Sequence, residues 1–325
     1  MSGVVLSGTG GVWRVQRDEG DIVDASLRGR VKKSNAGRRA DGSLRRDTIA
    51  TAADTLKLAI GDRVMLEQDG SGAAWTISSI LPRRSRLARR APGGGFGERV
   101  VAANVDQVVI VFAAANPEPH PRMLDRFLVI AEANGLAARI VINKVELAGG
   151  AAVASERWSD YERAGYPIHY TSAKRDEGLD TLHDALVGKV SVLTGPSGVG
   201  KSSLMNSMFP GLDLRVGEIS ESVNKGRHTT VGAVLHPLPG GGYVADTPGL
   251  REVGVWGLAA DALDGCFPEL RALAPECRFA DCVHEVEPDC AVRTAVQEGR
   301  ASAARYDSYR RLRTELAETE RRFPG

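Results

Sequence analysis

Over roughly the first ninety residues, short apolar-rich runs alternate with Gly- and Asp-rich turns. The runs at 11–15, 22–27, 62–66 and 75–80 have the length and the β-branched and aromatic content of strands, with no convincing helix between them. Short strands spaced this way predict a small closed barrel. From about Val100 the pattern changes. Continuous apolar runs at 108–112, 139–142, 168–170, 190–194 and 242–245 alternate with amphipathic stretches at 121–134, 151–164, 179–187 and 202–208. In the first of these stretches Leu124, Phe127, Leu128 and Ala131 fall on one helical face, and Gly135 supplies the stop. Strand and helix alternating in this manner predict a doubly wound α/β domain. Beyond about Asp261 the chain reads as helical. It ends in a helix over 302–322, where Tyr306, Tyr309, Leu312 and Leu316 form a stripe that packs on its own domain.

Composition adds a charge asymmetry. The 325 residues are 42 % apolar, enough for ordinary globular cores, and the net charge is only +1. Residues 1–100, however, carry 18 Lys and Arg against 11 Asp and Glu, while the remainder carries 24 against 30. The excess lies in two clusters. One is Arg28, Arg30, Lys32, Lys33, Arg38, Arg39, Arg45 and Arg46, on an expected strand-to-strand loop. The other is Arg83, Arg84, Arg86, Arg89 and Arg90, just before a Pro92-Gly93-Gly94-Gly95 linker. Basic clusters on a small barrel point to a polyanion, and RNA is the expected partner. The apolar stretch from Gln107 to Pro117 is too short to span a bilayer. The first residues lack the basic and long apolar regions of a signal peptide. A cytoplasmic protein is expected, in which cysteines serve as ligands or free thiols rather than disulfides.

The strongest chemical signal is Gly195-Pro196-Ser197-Gly198-Val199-Gly200-Lys201-Ser202, with Ser203 following, between an expected strand and an expected helix. It fits the phosphate-loop pattern. Glycines let successive backbone N–H groups point at phosphate oxygens, Lys201 reaches the β and γ phosphates, and the Ser202 hydroxyl sits on Mg²⁺. Asp246, at the end of the 242–245 strand, suits the second Mg²⁺ position, and the Gly249 amide could sense the γ-phosphate. Thr229 and Thr230 suit a switch loop closing over the metal. Asn143-Lys144-Val145-Glu146 fits a guanine-reading motif, because a carboxylate accepts both donors along one edge of guanine, a pair that adenine lacks. The acid here is Glu, one methylene longer than the usual Asp. Thr171-Ser172-Ala173 fits the loop whose backbone meets guanine O6.

The order of these pieces is unusual. In ordinary GTPases the phosphate loop comes first and the guanine-reading segments last. Here Asn143 to Ala173 precede Gly195, as a circular permutation would leave them. Leu250 follows Gly249 where many GTPases place a water-orienting Gln, so the free protein is expected to hydrolyse GTP slowly until a partner orders its switches. His228 is a candidate to help position the water; the alternative is a surface or partner-contact histidine. Farther on, Cys277, Cys282, His284 and Cys290 are spaced as a Cys₃His set for tetrahedral Zn²⁺. Four protein ligands fill the coordination sphere and make the site structural. Cys266 lies outside that compact spacing and is expected to be a buried or free thiol.

Taken together, the permuted order, the phosphate loop, Gly226-Arg227-His228-Thr229-Thr230, Asp246-Thr247-Pro248-Gly249-Leu250-Arg251-Glu252 and the zinc spacing resemble the ribosome small subunit-dependent GTPase A family over almost the whole chain. Asn104-Val105-Asp106-Gln107 is also similar to that family. The resemblance implies an OB-type RNA-binding barrel over 1–92, a permuted GTPase domain over 93–260 and a helical zinc domain over 261–325. It further implies a monomer that binds the small ribosomal subunit and its rRNA, hydrolyses GTP to GDP under that subunit's stimulation, and assists late maturation of the particle. Two rival readings are a P-loop ATPase or kinase, which would leave Asn143, Lys144 and Glu146 without a task, and a non-enzymatic RNA-binding module.

Overall fold

The computed structural model describes residues 1–27, 58–69, 72, 74–90, 98–212, 214, 233–246 and 258–322. The first barrel-forming strands are β1 (Ser2–Thr9), β2 (Val12–Arg17), β3 (Ile22–Leu27), β4 (Arg63–Gln68) and β5 (Trp75–Ile80). They close in the order β1-β2-β3-β5-β4, antiparallel except for the parallel pair β3–β5. The expected barrel is therefore present. Its closing strand is β1, whose small Gly and Ser residues give it no strand signal in the sequence. Val5, Val15, Val64, Leu66 and Ile77, taken from four of the strands, fill the interior and are at most 2 % exposed. The first basic cluster, Arg28 to Arg46, lies outside the described residues.

Two further strands, β6 (Arg86–Arg90) and β7 (Glu98–Ala103), pair antiparallel as a separate ribbon. The stretch containing Pro92 to Gly95, expected as an interdomain linker, thus joins two paired strands. Arg83 also departs from expectation. Rather than offering its charge to RNA with the rest of the second basic cluster, its buried guanidinium makes two hydrogen bonds, 2.6 and 2.8 Å, to Asp62, which is 0 % exposed. Arg84 pairs with Asp106 at 2.7 Å.

The central sheet contains β8 (Gln107–Ala113), β9 (Ala137–Asn143), β10 (Ile168–Tyr170), β11 (Val190–Thr194), β12 (Val234–Pro237) and β13 (Tyr243–Asp246). The order is β10-β9-β8-β11-β13-β12, parallel except at the β12–β13 edge. Helices α1 (Pro121–Ala133), α2 (Ala151–Arg163), α3 (Leu179–Leu186) and α4 (Lys201–Met208) cover it. Strand β8 shows why its apolar run is continuous. Val108, Ile110 and Phe112 pack with Leu124, Phe127 and Leu128 of α1 and Trp158 of α2, whereas Val109 and Val111 face Leu182, Leu186, Leu204 and Met205 on the other side.

The segment 104–107 clasps barrel to sheet. Asn104, in the left-handed region at φ 56°, donates to Gly61 O at 2.8 Å and accepts from Arg84 N–H at 3.0 Å. Asp106 accepts from Val190 N–H at 2.8 Å, and Gln107 donates to Ala185 O at 2.7 Å and Ser191 Oγ at 3.0 Å. The C-terminal part holds α5 (Pro268–Leu273), α6 (Ala291–Gln297) and α7 (Ala303–Arg322). Tyr309, Leu312 and Leu316 of α7 are buried with Phe267, Leu270 and Val292, and Val129 of α1 joins the same cluster. The stripe therefore packs on its own domain as expected, and also on the sheet domain. Among the described residues no helix is long and apolar enough to cross a membrane.

Candidate functional site

The phosphate-loop sequence links β11 directly to α4, the strand–loop–helix context that the pattern requires. Only glycine fits two of its positions. A Cβ on Gly195 (φ 133°) would stand 2.0 Å from Val111 O, and one on Gly200 (φ 93°) would stand 2.6 Å from Asn143 Nδ2. Lys201, 6 % exposed, folds back so that Nζ donates to Gly195 O at 2.9 Å and Pro196 O at 2.7 Å. Its ammonium therefore lies inside the curl of the loop. Ser202 is buried in the first turn of α4, next to Ser203.

Asn143 ends β9 and is 2 % exposed. Its Nδ2 donates to Val199 O of the phosphate loop at 2.9 Å. Its Oδ1 accepts from Thr171 Oγ1 and from Ala173 N–H, both at 3.3 Å. One carboxamide thus joins the three segments that the sequence marks as nucleotide-binding. Lys144, left-handed at φ 62°, donates through Nζ to Gly198 O and to Asn116 O, each at 2.6 Å. Val145 is buried and its N–H donates to Thr171 O at 3.2 Å, while Thr171 and Ser172 are 0 % exposed. Glu146 differs from these neighbours. Its buried Oε2 finds no hydrogen-bond partner among the described residues, and an acceptor in that state has its lone pairs free for a ligand.

Asp246 lies at the end of β13, in register with Leu193 of β11, which puts its backbone one strand over from the start of the phosphate loop. Its side chain, and His228, Thr229, Thr230 and Gly249, fall outside the described residues. The described part of the site therefore unites Asn143 to Glu146, Thr171 to Ala173 and Gly195 to Ser203.

The second cluster is the Cys₃His set. The ligand atoms of Cys277, Cys282, His284 and Cys290 all lie within 4.8 Å of one another. His284 Nδ1 is 3.6 Å from Cys277 Sγ and 3.4 Å from Cys290 Sγ, and these two sulfurs are 3.9 Å apart. Tetrahedral zinc with Zn–S of about 2.3 Å and Zn–N of about 2.0 Å implies ligand separations of roughly 3.5–3.8 Å, so the set fits a structural zinc site. Cys266 is buried outside it, and burial pushes its thiol up to about 11, leaving it an inert protonated thiol.

Neighbouring groups shape the ligands. Cys290 caps α6, its Sγ accepting from Arg293 N–H at 3.5 Å, a position that favours thiolate. Asp264 Oδ2 stands 3.5 Å from His284 Nε2, and above all His284 holds that carboxyl below the usual range. This is the carboxylate–histidine arrangement that orients metal-bound imidazoles. Asp264 was invisible in the sequence, twenty residues from His284 with no spacing signal. Burial raises Glu287, but its own backbone N–H and then those of Val283, Glu285 and Val286 outweigh it and bring the carboxyl down to about 2, fixing the turn between ligands.

A phosphate loop, a carboxamide tie to the segments that the sequence marks as guanine-reading and a reversed motif order define a circularly permuted P-loop GTPase. The chain belongs to the RsgA GTPase family, whose match spans residues 80–256, and it is accordingly a GTP hydrolase. It is 57 % identical over 97 % of both chains to a protein of Gemmatimonas aurantiaca named small ribosomal subunit biogenesis GTPase RsgA. A protein of that name from Azotobacter vinelandii is 44 % identical over 81 % of this chain and 76 % of its own. Among solved structures, YjeQ from Thermotoga maritima superposes with TM-score 0.76 at 33 % identity, covering 97 % and 98 % of the two chains. YloQ, described as a circularly permuted GTPase, gives 0.72 at 27 % identity over 98 % and 95 %.

Cys290→Ser is expected to lower zinc content well below one per chain by elemental analysis and to lower the melting temperature. Full zinc occupancy in that variant would remove Cys290 from the ligand set.

Proposed function

We propose that this protein hydrolyses GTP on the small ribosomal subunit, assisting late maturation of that particle, and that the subunit stimulates its turnover. The observation that carries the reading is the Asn143 carboxamide, which ties the phosphate loop to the segments read as guanine-binding, together with a Glu146 carboxylate oxygen that has no hydrogen-bond partner among the described residues. The names of the relatives supply the subunit.

In this reading Glu146 accepts the two guanine donors, with Asn143, Lys144, Val145, Thr171, Ser172 and Ala173 shaping the base pocket. Backbone N–H groups from Gly195 to Ser203 hold the phosphates. Lys201 exchanges its two carbonyl acceptors for phosphate oxygens, a charge-assisted pairing stronger than the one it leaves. Ser202 and Asp246 hold Mg²⁺, whose charge offsets that of the phosphates. Gly249, Thr229 and Thr230 respond to the γ-phosphate, and His228 positions water. One Zn²⁺ on Cys277, Cys282, His284 and Cys290 stabilises the C-terminal module without entering the chemistry. Placement in the cytoplasm, action as a monomer and rRNA contact by the basic barrel belong to the same proposal.

Multiple-turnover phosphate release with small subunits, large subunits or neither tests the reading. Stimulation by small subunits alone is expected; equal rates in all three contradict it. Glu146→Asn is expected to shift preference from guanine toward xanthine nucleotides, since an amide can donate to the extra carbonyl. Unchanged guanine preference would mean that Glu146 does not face the base.

A further inference from the structure

Arg305 of α7 is 2 % exposed and spends its guanidinium on two other elements. Its Nε and one terminal nitrogen donate to both oxygens of Glu269 on α5, at 2.6 and 3.0 Å. The other terminal nitrogen donates to Asp125 of α1 at 2.6 Å. Phe267, Tyr161 and Tyr166 surround it, with ring centroids 4.9–5.6 Å from Cζ. A buried charge so placed gives little net stability for its desolvation cost, but fixes geometry closely.

What it fixes leads to the nucleotide site. Asp125 lies near the start of α1, and Tyr161, whose ring faces Arg305, donates through its hydroxyl to Pro121 O at 3.2 Å. The preceding loop is tied by Arg157 to Glu118 at 2.8 Å, and by Lys144 to Asn116 O. The same Lys144 ammonium binds Gly198 of the phosphate loop. Pro117, His120 and Met123 share a cavity of about 180 Å³ with Pro196, Ser197 and Val199. The start of α1 is thus held from below by the zinc-bearing module and faces the phosphate loop across this cavity.

We propose that Arg305 is a positioning residue for the partner-stimulated part of nucleotide turnover: it couples α1 and the 114–120 loop, which lie against the phosphate loop, to α7, so that the zinc-bearing module and the nucleotide site read each other's state. The stimulation part rests on the function proposed above. Linkage requires the effect to run both ways. A nucleotide that shifts the phosphate loop must alter α7, and a partner that displaces α7 must alter nucleotide binding; the effect on turnover is the kinetic part of the proposal.

Hydrogen exchange on the zinc-loaded full chain, with Mg²⁺ and either GDP or a non-hydrolysable GTP analogue, reads the first direction without ribosomes. Phosphate release with small subunits reads the second. In the parent, exchange in α7 is expected to differ between the two nucleotides. In Arg305→Met that difference is expected to vanish, and subunit-stimulated kcat to fall about fivefold or more. KM for GTP and basal turnover should stay within about twofold. Asp125→Asn, which keeps shape and one acceptor, serves where Arg305→Met does not fold. Arg122→Ala, which breaks only the exposed 3.1 Å pair with Asp307, is the control and should behave as the parent. A parent α7 indifferent to nucleotide overturns the proposal. So does a folded variant with unchanged stimulation, or with basal and stimulated rates lowered equally. If small subunits fail to stimulate the parent, the proposed function falls while the exchange measurement still decides the role of Arg305.

Discussion

The candidate nucleotide site centres on one buried amide. Asn143 donates to Val199 O and accepts from Thr171 and Ala173, so one side chain bonds to phosphate loop, β9 end and β10 end together, with Lys144 to Gly198 O and Val145 N–H to Thr171 O beside it. Hydrogen bonds of this kind contribute only about 0.5–1.5 kcal/mol each, but leaving buried partners unmet costs about 1–3 kcal/mol apiece. The arrangement is therefore close to all-or-none. It also accounts for the tolerance of permutation. The joining of the segments is made through space, and the order in which the chain visits them leaves the carboxamide's partners unchanged.

Around this centre the three parts of the chain are fastened both by shared apolar clusters, with Val4, Leu6 and Ile60 packed among the sheet residues and Val129 of α1 among the C-terminal helices, and by short polar clasps. On the barrel side Asn104, Asp106 and Gln107 bond to Gly61, Val190 and Ser191, and Asp62 with Arg83 forms a buried ion pair. On the C-terminal side Arg305 joins α1 to α5, flanked by Ser302 on Asp160 at 2.5 Å and Arg271 on Glu132 at 3.0 Å. Directional contacts hold a specific geometry and lose it together, in contrast to the plasticity of purely apolar packing.

Much of this architecture was legible in the sequence, for identifiable reasons. Buried parallel strands such as β8 show as unbroken apolar runs, α1 shows its face through Leu124, Phe127 and Leu128, and the Cys₃His set lies within fourteen residues, where spacing alone is informative. Strand β1 was missed because its small Gly and Ser residues weaken the strand pattern and it acquires meaning only by pairing with β2 and β4. The β6–β7 ribbon was hidden by the Gly-rich stretch between its strands, which reads as linker composition. Arg83 was assigned to a basic surface because its partner Asp62 is twenty-one residues away. Asp264 and Arg305 carry no motif at all. Pairings across such separations are set by tertiary structure, and local pattern cannot report them.

The central claim is that the Asn143 carboxamide assembles the nucleotide pocket. Asn143→Asp preserves size and the acceptor while replacing the Nδ2 donor with an oxygen that faces Val199 O. Calorimetric titration of parent and variant with GDP and Mg²⁺, alongside their melting curves, tests it most directly. The account predicts a variant that still folds and binds GDP about a hundredfold more weakly, the equivalent of roughly 2.7 kcal/mol. Affinity within about threefold of the parent at an unchanged melting temperature, a difference under about 0.7 kcal/mol, would contradict it.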